Sequence, residues 1–370
     1  MDKFLNVLSD EMKIEVTQED IDQAKYNDVS LSTYLNEKYS DKVAKFNNNL
    51  DAFDIAVLSQ GIIVRGDVKR GIESSKMIKF FNTTTSSRLL FPEFIVRTIR
   101  QSILEQPITQ YLIGETQTIP GDTMRQPVLD LSKESENRKA LKYTRISEAA
   151  DIPITEIKLA ETAITIYKYG RGVKATYEVL RRTTIDMFRK TVELIGRFIS
   201  EAEFTEIIRV IEEGDGNDNP ATVYRRSVLN TSGTSGVLDD VTLLKFLMAQ
   251  YPIAYDTLIV NQDLYLQLIT SQYDASLTTG VTDYVPFTFP QGIFQGLTIL
   301  YNEDIKNTAG SKPRAFGLNR SLGIRKIIEQ GSTIQENEKY ANNQTNVIYM
   351  TENAGFGKIY NEASAILEVD

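Results

Sequence analysis

The stretch Thr183–Glu213, TTIDMFRKTVELIGRFISEAEFTEIIRVIEE, decides how the rest of the chain is read. Ile185, Phe188, Val192, Ile195, Ile199 and Ala202 step by three and four, which is the spacing of one helix face and not of a strand. Met187, Leu194 and Phe198 form a parallel row that widens this face. A charge in that row, as in Phe198→Asp, is therefore expected to unfold the chain by burying an unpaired ion. Thr183 is placed to cap the start, and Asp186 lies in the first turn, where the helix dipole favours a negative charge. Asp186 with Lys190 and Glu193 with Arg197 are four apart in the favourable order, and Gly214 is a C-terminal stop. Gly196 stands in mid-helix at a cost of about 1 kcal/mol against Ala, which marks a bend or a close approach. The helix is predicted to run roughly 30 residues, or ~45 Å, well beyond the mean of about 11–12. It is a beam along which other elements pack.

The chain has 370 residues, room for two or three compact units. Its hydrophobic fraction of 41% and charged fraction of 25% are those of an ordinary globular protein. The formal net charge is -9, which argues against sequence-independent nucleic-acid binding, since that needs a basic surface. No run of 18 apolar residues occurs, so no membrane-spanning helix is expected. MDKFLNVLSDEMKIEV at the N-terminus lacks the apolar core of a signal peptide. His, Cys and Trp are all absent. Without His and Cys, imidazole acid–base work, thiol nucleophiles, disulfides and the usual zinc ligands are excluded. An enzyme would have to run on carboxylates, Lys, Tyr, Ser or Thr, and the composition points instead to a structural or binding role.

Residues 1–60 read as acidic and helical. Thr17 with Asp20 resembles a capping box. Tyr39, Val43, Phe46, Leu50, Phe53 and Val57 step by four and three like a heptad seam, packed either on the chain's own core or on a partner, with Asn47, Asn48 and Asn49 as a break. Gly61–Arg65 reads as a short strand, and a helix through Leu104 is opened by Pro92. Residues 130–148, DLSKESENRKALKYTRISE, are charged and poorly periodic, the mark of an exposed, extended excursion. Ile152, Ile154, Ile157, Leu159, Ile164, Ile166 and Tyr167 then alternate with polar residues, as strands with one wet face do. Asp215, Asn217 and Asn219 have the spacing of a calcium loop, but Pro220 stands where Gly is needed and Arg226 where the closing Glu belongs. Turn chemistry explains them better. Residues 238–250 read as a helix, and Thr257–Val260 and Leu297–Tyr301 as strands, so 226–330 is a compact unit of mixed helix and strand. From Ser332 onward strand alternation returns, as strands that close a sheet.

Chemical signatures are missing. There is no GxxxxGK[ST] phosphate cradle, no GxSxG elbow, and Gly170-Arg171-Gly172 has no dinucleotide-binding continuation. Paired carboxylates such as Asp239-Asp240 and Glu212-Glu213 sit at helix ends, as solvated charge does. The basic clusters Arg138, Lys139, Lys142 and Arg181, Arg182 are short, and subunit contact suits them better than nucleic acid. No catalytic, cofactor-binding or metal-binding residue is assigned.

The order of the pieces is informative. ADIPITEIKLAETAITIYKYGRGVKATYEVLRRTTIDMFRKTVELIGRFISEAEFTEIIRVIEEGDG, residues 150–216, resembles the Hong Kong 97-type (HK97-like) major capsid protein of tailed bacteriophages, in which strands and a short helical turn lead into a long spine helix. YMTENAGFGKIYNEASAILEVD at the C-terminus is similar to that family's closing strands, and Arg88-Leu-Leu-Phe-Pro-Glu-Phe94 to the end of its N-terminal arm. The resemblance spans roughly residues 60–370. It implies an α+β capsid fold with a helical N-terminal arm at 1–100 and an extended β-hairpin loop at 119–150. The peripheral domain would comprise 101–118, 151–225 and 331–370 with the spine helix 183–213, and the axial domain 226–330.

It further implies a shell protein that self-assembles into pentamers and hexamers, forming an icosahedral head that encloses double-stranded DNA without reading its sequence. Scaffolding, portal and decoration proteins are further candidate partners. Assembly would take place in the bacterial host cytoplasm and the product would be the virion capsid, with no membrane and no cofactor. Arg125, Lys133, Arg138, Lys139, Lys142, Arg171, Phe91 and Glu93 are the candidate inter-subunit contacts, rim charges of the kind that set register more than affinity. Some relatives join Lys to Asn between subunits, for which Asn353 and Asn361 would be the acceptors. The alternatives are an encapsulin-like bacterial nanocompartment shell and, from a different class, a carboxylate-based enzyme.

Overall fold

The computed structural model describes residues 13–27, 29–45, 50–64, 73–82, 85–105, 108–125, 127–129, 131, 138, 141, 145–148, 152, 154–155, 157–159, 162–232, 234–268, 291–294, 297–305, 312–332, 334–340 and 342–370. The chain forms two compact units. One comprises residues 1–106, 169–199 and 331–352, and the other 107–168, 200–330 and 353–370. The expected arm thus shares a unit with parts of the expected peripheral domain, and the expected loop shares one with the expected axial domain.

The first unit is mainly helical. Thr17 opens the helix Gln18–Tyr26, with Asp20 accepting from its amide at 2.9 Å and its hydroxyl at 3.0 Å. Burial opposes the charge on Asp20, but Lys38 and Thr17 outweigh it and hold the carboxyl below its ordinary range. Ser30 and Asp51 cap the helices Leu31–Lys38 and Ala52–Ser59 through Thr33 and Asp54. The seam from Tyr39 is broken, with one helix ending at Lys45 and the next starting at Ala52. Phe53 and Val57 nevertheless enter the core, and Tyr39, Val43 and Leu50 pack against it. No strand forms over 61–64; Ile62 is buried among the helices instead. An unbroken apolar run does not distinguish a strand from a core segment.

The helix predicted to start at Pro92 starts at Thr85 and keeps Pro92 inside it. Proline there forfeits one backbone bond. Burial of Leu90, Phe91, Phe94 and Ile95 offsets the loss, and Phe80 stacks on Phe91 and Phe94 at 5.6 and 5.4 Å.

The long helix is Ile185–Glu213, 29 residues. Its boundary is Thr184, not Thr183: the amide of Phe188 donates to Thr184 O at 3.1 Å, and the amide of Ile185 to Ser75 O at 2.9 Å. The ion pairs of its first turns run through Arg189, to Glu193 at 2.6 Å and Asp186 at 3.9 Å, because Arg189 lies between both carboxylates at helical spacing. Within the first unit, Ile185, Phe188 and Val192 are buried. Gly196 is a close approach: a Cβ there would lie 2.8 Å from Ser102 Cβ and 3.0 Å from Ile99 O. Beside it the Ser102 hydroxyl donates to Glu193 O at 2.6 Å.

The second unit centres on a mixed six-stranded sheet, ordered Thr222–Arg225, Ser364–Glu368, Arg314–Leu318, Thr257–Val260, Leu297–Tyr301, Gln291–Phe294. Alternate residues of the central strands feed two cores. Leu258, Val260 and Ile299 meet Leu243, Phe246 and Leu264 on one face. Ile259, Leu300, Phe316 and Ile366 meet Phe204, Ile207, Ile208 and Ile211 of the long helix on the other. Ile113–Ile119 runs parallel to Ile324–Glu329, which pairs antiparallel with the end of Thr345–Lys358. In the first unit the beginning of that last strand pairs with Ile334–Tyr340.

Behind the long helix, Gly214 adopts φ +93°. The turn after it is held by side chains. Asp215 accepts from Asn217 N at 3.3 Å and Nδ2 at 3.0 Å, and Asn219 accepts from Asp215 N at 3.0 Å. Lys358, 1% exposed, closes the arrangement. Its Nζ donates to Ile211 O at 3.1 Å and Asn219 O at 2.6 Å, and its amide to Asp215 Oδ2 at 3.0 Å. The carboxylate and amides of the turn are thus spent on protein donors and carbonyls, as turn chemistry requires.

Two predictions follow from these contacts. Gly196→Val overpacks the Ser102 contact and should destabilise dissociated subunits by about 1–3 kcal/mol in urea; an unchanged midpoint would contradict the close approach. Burial lowers Lys358 from 10.5 to about 8, against the pull of Asp215 and Glu362. Between those values the unfolded chain holds a proton that the folded one has released, so the penalty is full below pH 8 and fades as pH rises. Measured against Lys358→Met, wild-type stability should climb by up to about 3 kcal/mol from pH 8 to 10.5. Parallel pH profiles would contradict it.

Candidate assembly surfaces

A helix of this length, apolar at so many positions, has more greasy surface than one flank covers. The row Met187, Leu194, Phe198 lies on the uncovered side, each more than half exposed, with Phe198 at 54%. This overturns its expected place in the core and, with it, the expected unfolding by Phe198→Asp. The core row Ile185, Phe188, Val192 turns inward. The other row, displaced around the helix, is left largely open to water by the described residues.

The excursion after Ile119 returns antiparallel on itself. Thr123 pairs with Thr165, Met124 with Ile164, Pro127 with Leu159 and Val128 with Lys158. Ile164 is buried against Ile119 and Ile327. Ile152, Ile154, Ile157 and Leu159 are open to solvent, Ile154 at 85%. The described part of the chain supplies no cover for them.

The sequence-derived contact residues fare unequally. Phe91 is 1% exposed within the aromatic cluster, and Glu93 is buried, accepting from Ser32 N at 3.3 Å and Oγ at 2.9 Å. Both are held inside their own unit, within the helix Thr85–Glu105. Arg125 and Arg171 are exposed. Arg138 donates within its own unit to Leu131 O at 2.9 Å, Gln250 Oε1 at 3.1 Å and the carbonyl of Tyr251. Lys133, Lys139 and Lys142 lie outside the described residues. Asn353 donates to Glu329 at 2.5 Å, and Asn361 accepts from Lys358 at 3.4 Å.

A cleft of about 270 Å³ lies beside the turn after the long helix, lined by Thr165, Tyr167, Glu206, Arg209, Glu213 and Asp215. Arg209 binds Glu206 at 2.5 Å and Glu213 at 3.1 Å, so its one positive charge is shared by two of the three carboxylates in the lining. Glu206 and Glu213 keep that guanidinium firmly protonated. Among the described residues no group of three or more acidic side chains is placed to hold a metal ion. Sequence reasoning missed the outward rows, although the signal was there in the apolar residues distributed around most of the helix.

The model of the family described as phage capsid protein matches residues 159–366, more than half of the chain and the whole of the long helix. The chain belongs to the phage capsid protein family. None of the curated proteins compared matches it. Among solved structures, the capsid of Ralstonia phage GP4 is 10% identical, with a TM-score of 0.44 over 68% of this chain and 84% of its own. The capsid of cyanophage P-SCSP1u is 13% identical, with a TM-score of 0.42 over 70% and 86%. A virus-like particle from Pyrococcus furiosus is 13% identical, with a TM-score of 0.44 over 75% and 98%.

The work of a capsid protein is to associate with its own copies as the shell of a virion, and a shell subunit keeps apolar surface for its neighbours. The outward row of the long helix fits that need. Phe198→Asp in this capsid protein should therefore leave the dissociated subunit folded, within about 0.5 kcal/mol of wild type, while impairing association. Loss of cooperative melting in the variant would return Phe198 to the core.

Proposed function

We propose that this capsid protein builds a Hong Kong 97-type icosahedral head from pentamers and hexamers, enclosing double-stranded DNA. The observation that carries this reading is the uncovered apolar edge Ile152, Ile154, Ile157 and Leu159. Four large aliphatic side chains in water are unfavourable by about 1.5–3 kcal/mol each relative to burial. A neighbouring copy is the partner in constant supply. The hairpin from 119 would lie across that neighbour, its aliphatic edge on the neighbour's Met187, Leu194 and Phe198, with Arg125 and Arg171 as rim charges that fix register.

The net charge of -9 suits a wall that contains DNA without adhering to it, since neutralised phosphates are what hold a protein to DNA. No step of this work requires catalysis. Assembly in the host cytoplasm and association with portal, scaffolding and decoration proteins complete the reading.

Electron microscopy of purified protein tests it. Closed particles of uniform size are expected, and particles from phage-producing cells should contain DNA. Monomers and dimers under all assembly conditions would contradict the shell. Particles carrying a protein cargo in place of DNA would move the chain to the nanocompartment reading.

A further inference from the structure

Phe81 and the strand Ile334–Tyr340 bring three polar side chains of the first unit together. The first is Arg88, in the opening turn of the helix Thr85–Glu105. The backbone dipole there is positive and favours carboxylates, yet that turn holds no acidic residue. Arg88 Nε donates to Phe81 O at 3.0 Å. The second is Lys339, whose Nζ lies 5.4 Å from the centroid of the Phe81 ring, so that two cations share one anchor. Burial, and then the charge of Arg88, keep the Lys339 ammonium below its usual range. The carboxylates of the same strand, Glu336 and Glu338, alternate onto the opposite face, where Glu338 accepts from Tyr340 at 2.6 Å. Among the described residues no carboxylate pairs with Arg88 or Lys339.

The third is Asn346. It stands directly opposite Lys339 in the ladder, so both side chains leave the sheet on one face. Asn346 is 2% exposed, and neither its Oδ1 nor its Nδ2 has a hydrogen-bond partner. A buried amide in that state bears the full cost of its desolvation, and native structures rarely keep one without a ligand, water or function to explain it. Ile348, on the same face, is an ordinary core residue, so an apolar side chain is acceptable there.

We propose that Arg88, Lys339 and Asn346 form a binding site for inorganic hydrogen phosphate. Two adjacent cations at the start of a helix call for an anion. Asn346 narrows the choice, because its Nδ2 needs an acceptor and its Oδ1 a donor. Hydrogen phosphate supplies both. Its hydroxyl donates to Oδ1, while its remaining oxygens accept from Nδ2, the guanidinium and the ammonium. Sulfate, chloride and the phosphodiesters of nucleic acid carry no such proton. All three residues belong to one compact unit, and the site is independent of how copies of the chain associate.

Titration of dissociated subunits with inorganic phosphate, followed by calorimetry and by melting temperature at constant ionic strength, tests the assignment. Phosphate should bind and raise the melting temperature, and sulfate should do so much less. Arg88→Gln with Lys339→Gln changes two exposed side chains. This variant should melt like wild type without phosphate and bind phosphate at least about tenfold more weakly. Asn346→Leu, close to the same shape, should be no less stable than wild type without phosphate and should lose the preference for phosphate over sulfate.

Equal stabilisation by phosphate and sulfate, or a double variant that keeps the wild-type affinity, would overturn the proposal. So would destabilisation by Asn346→Leu in the absence of phosphate, because the amide would then have partners within the protein. A DNA oligonucleotide that competes phosphate off the wild-type chain would assign the two cations to nucleic acid and overturn it as well.

Discussion

Apolar side chains around most of the circumference of the helix Ile185–Glu213 have to leave water, and its own unit covers only one flank of its first half. Ile185, Phe188 and Val192 are buried while Met187, Leu194 and Phe198 are not. Much of the rest depends on this asymmetry. The covered flank organises the aromatic cluster of Phe80, Phe91 and Phe94 and the helices that pack on it. The uncovered flank stays open to water in the lone subunit. The same imbalance recurs at Ile152, Ile154, Ile157 and Leu159 and on the helix Asp240–Leu247, where apolar side chains stand open to water among the described residues.

Buried polar contacts fix the geometry that the apolar surfaces only favour. Ser102 reaches Glu193 O where Gly196 lets two helices meet closely. Lys358 gathers Ile211 O and Asn219 O at the far end of the long helix, with Asp215 taking its amide. An unmade bond at either place would cost about 1–3 kcal/mol, so these groups specify where the helix may sit. Each lies within one compact unit, so each unit carries its own anchor on the helix.

Much of the architecture was legible in the chain. Three-and-four spacing and Gly214 located the long helix, and Thr17 with Asp20 marked a helix start by side-chain chemistry that is local in sequence. Asp215, Asn217 and Asn219 were readable as a turn from what the calcium pattern lacks. What failed did so for identifiable reasons. Pro92 suggested a helix start because the cost of an interior proline is local, whereas the packing of Phe91 and Phe94 that offsets it is not. Periodicity also states that a residue is to be buried without stating by which chain. Phe198 and Ile154 carry the hydropathy of core residues, and only coordinates reveal that they stand open to water. The reverse holds for Glu93, a charge that reads as surface and is held inside by Ser32.

Methionine oxidation, compared between dissociated subunits and assembled particles, tests most directly whether the outward apolar row of the long helix is a face for neighbours. Met187 is 64% exposed, whereas Met77 is fully buried and serves as an internal control. The account predicts that Met187 oxidises readily in subunits and becomes protected in particles, with Met77 protected in both. Equal oxidation of Met187 in the two forms would contradict it.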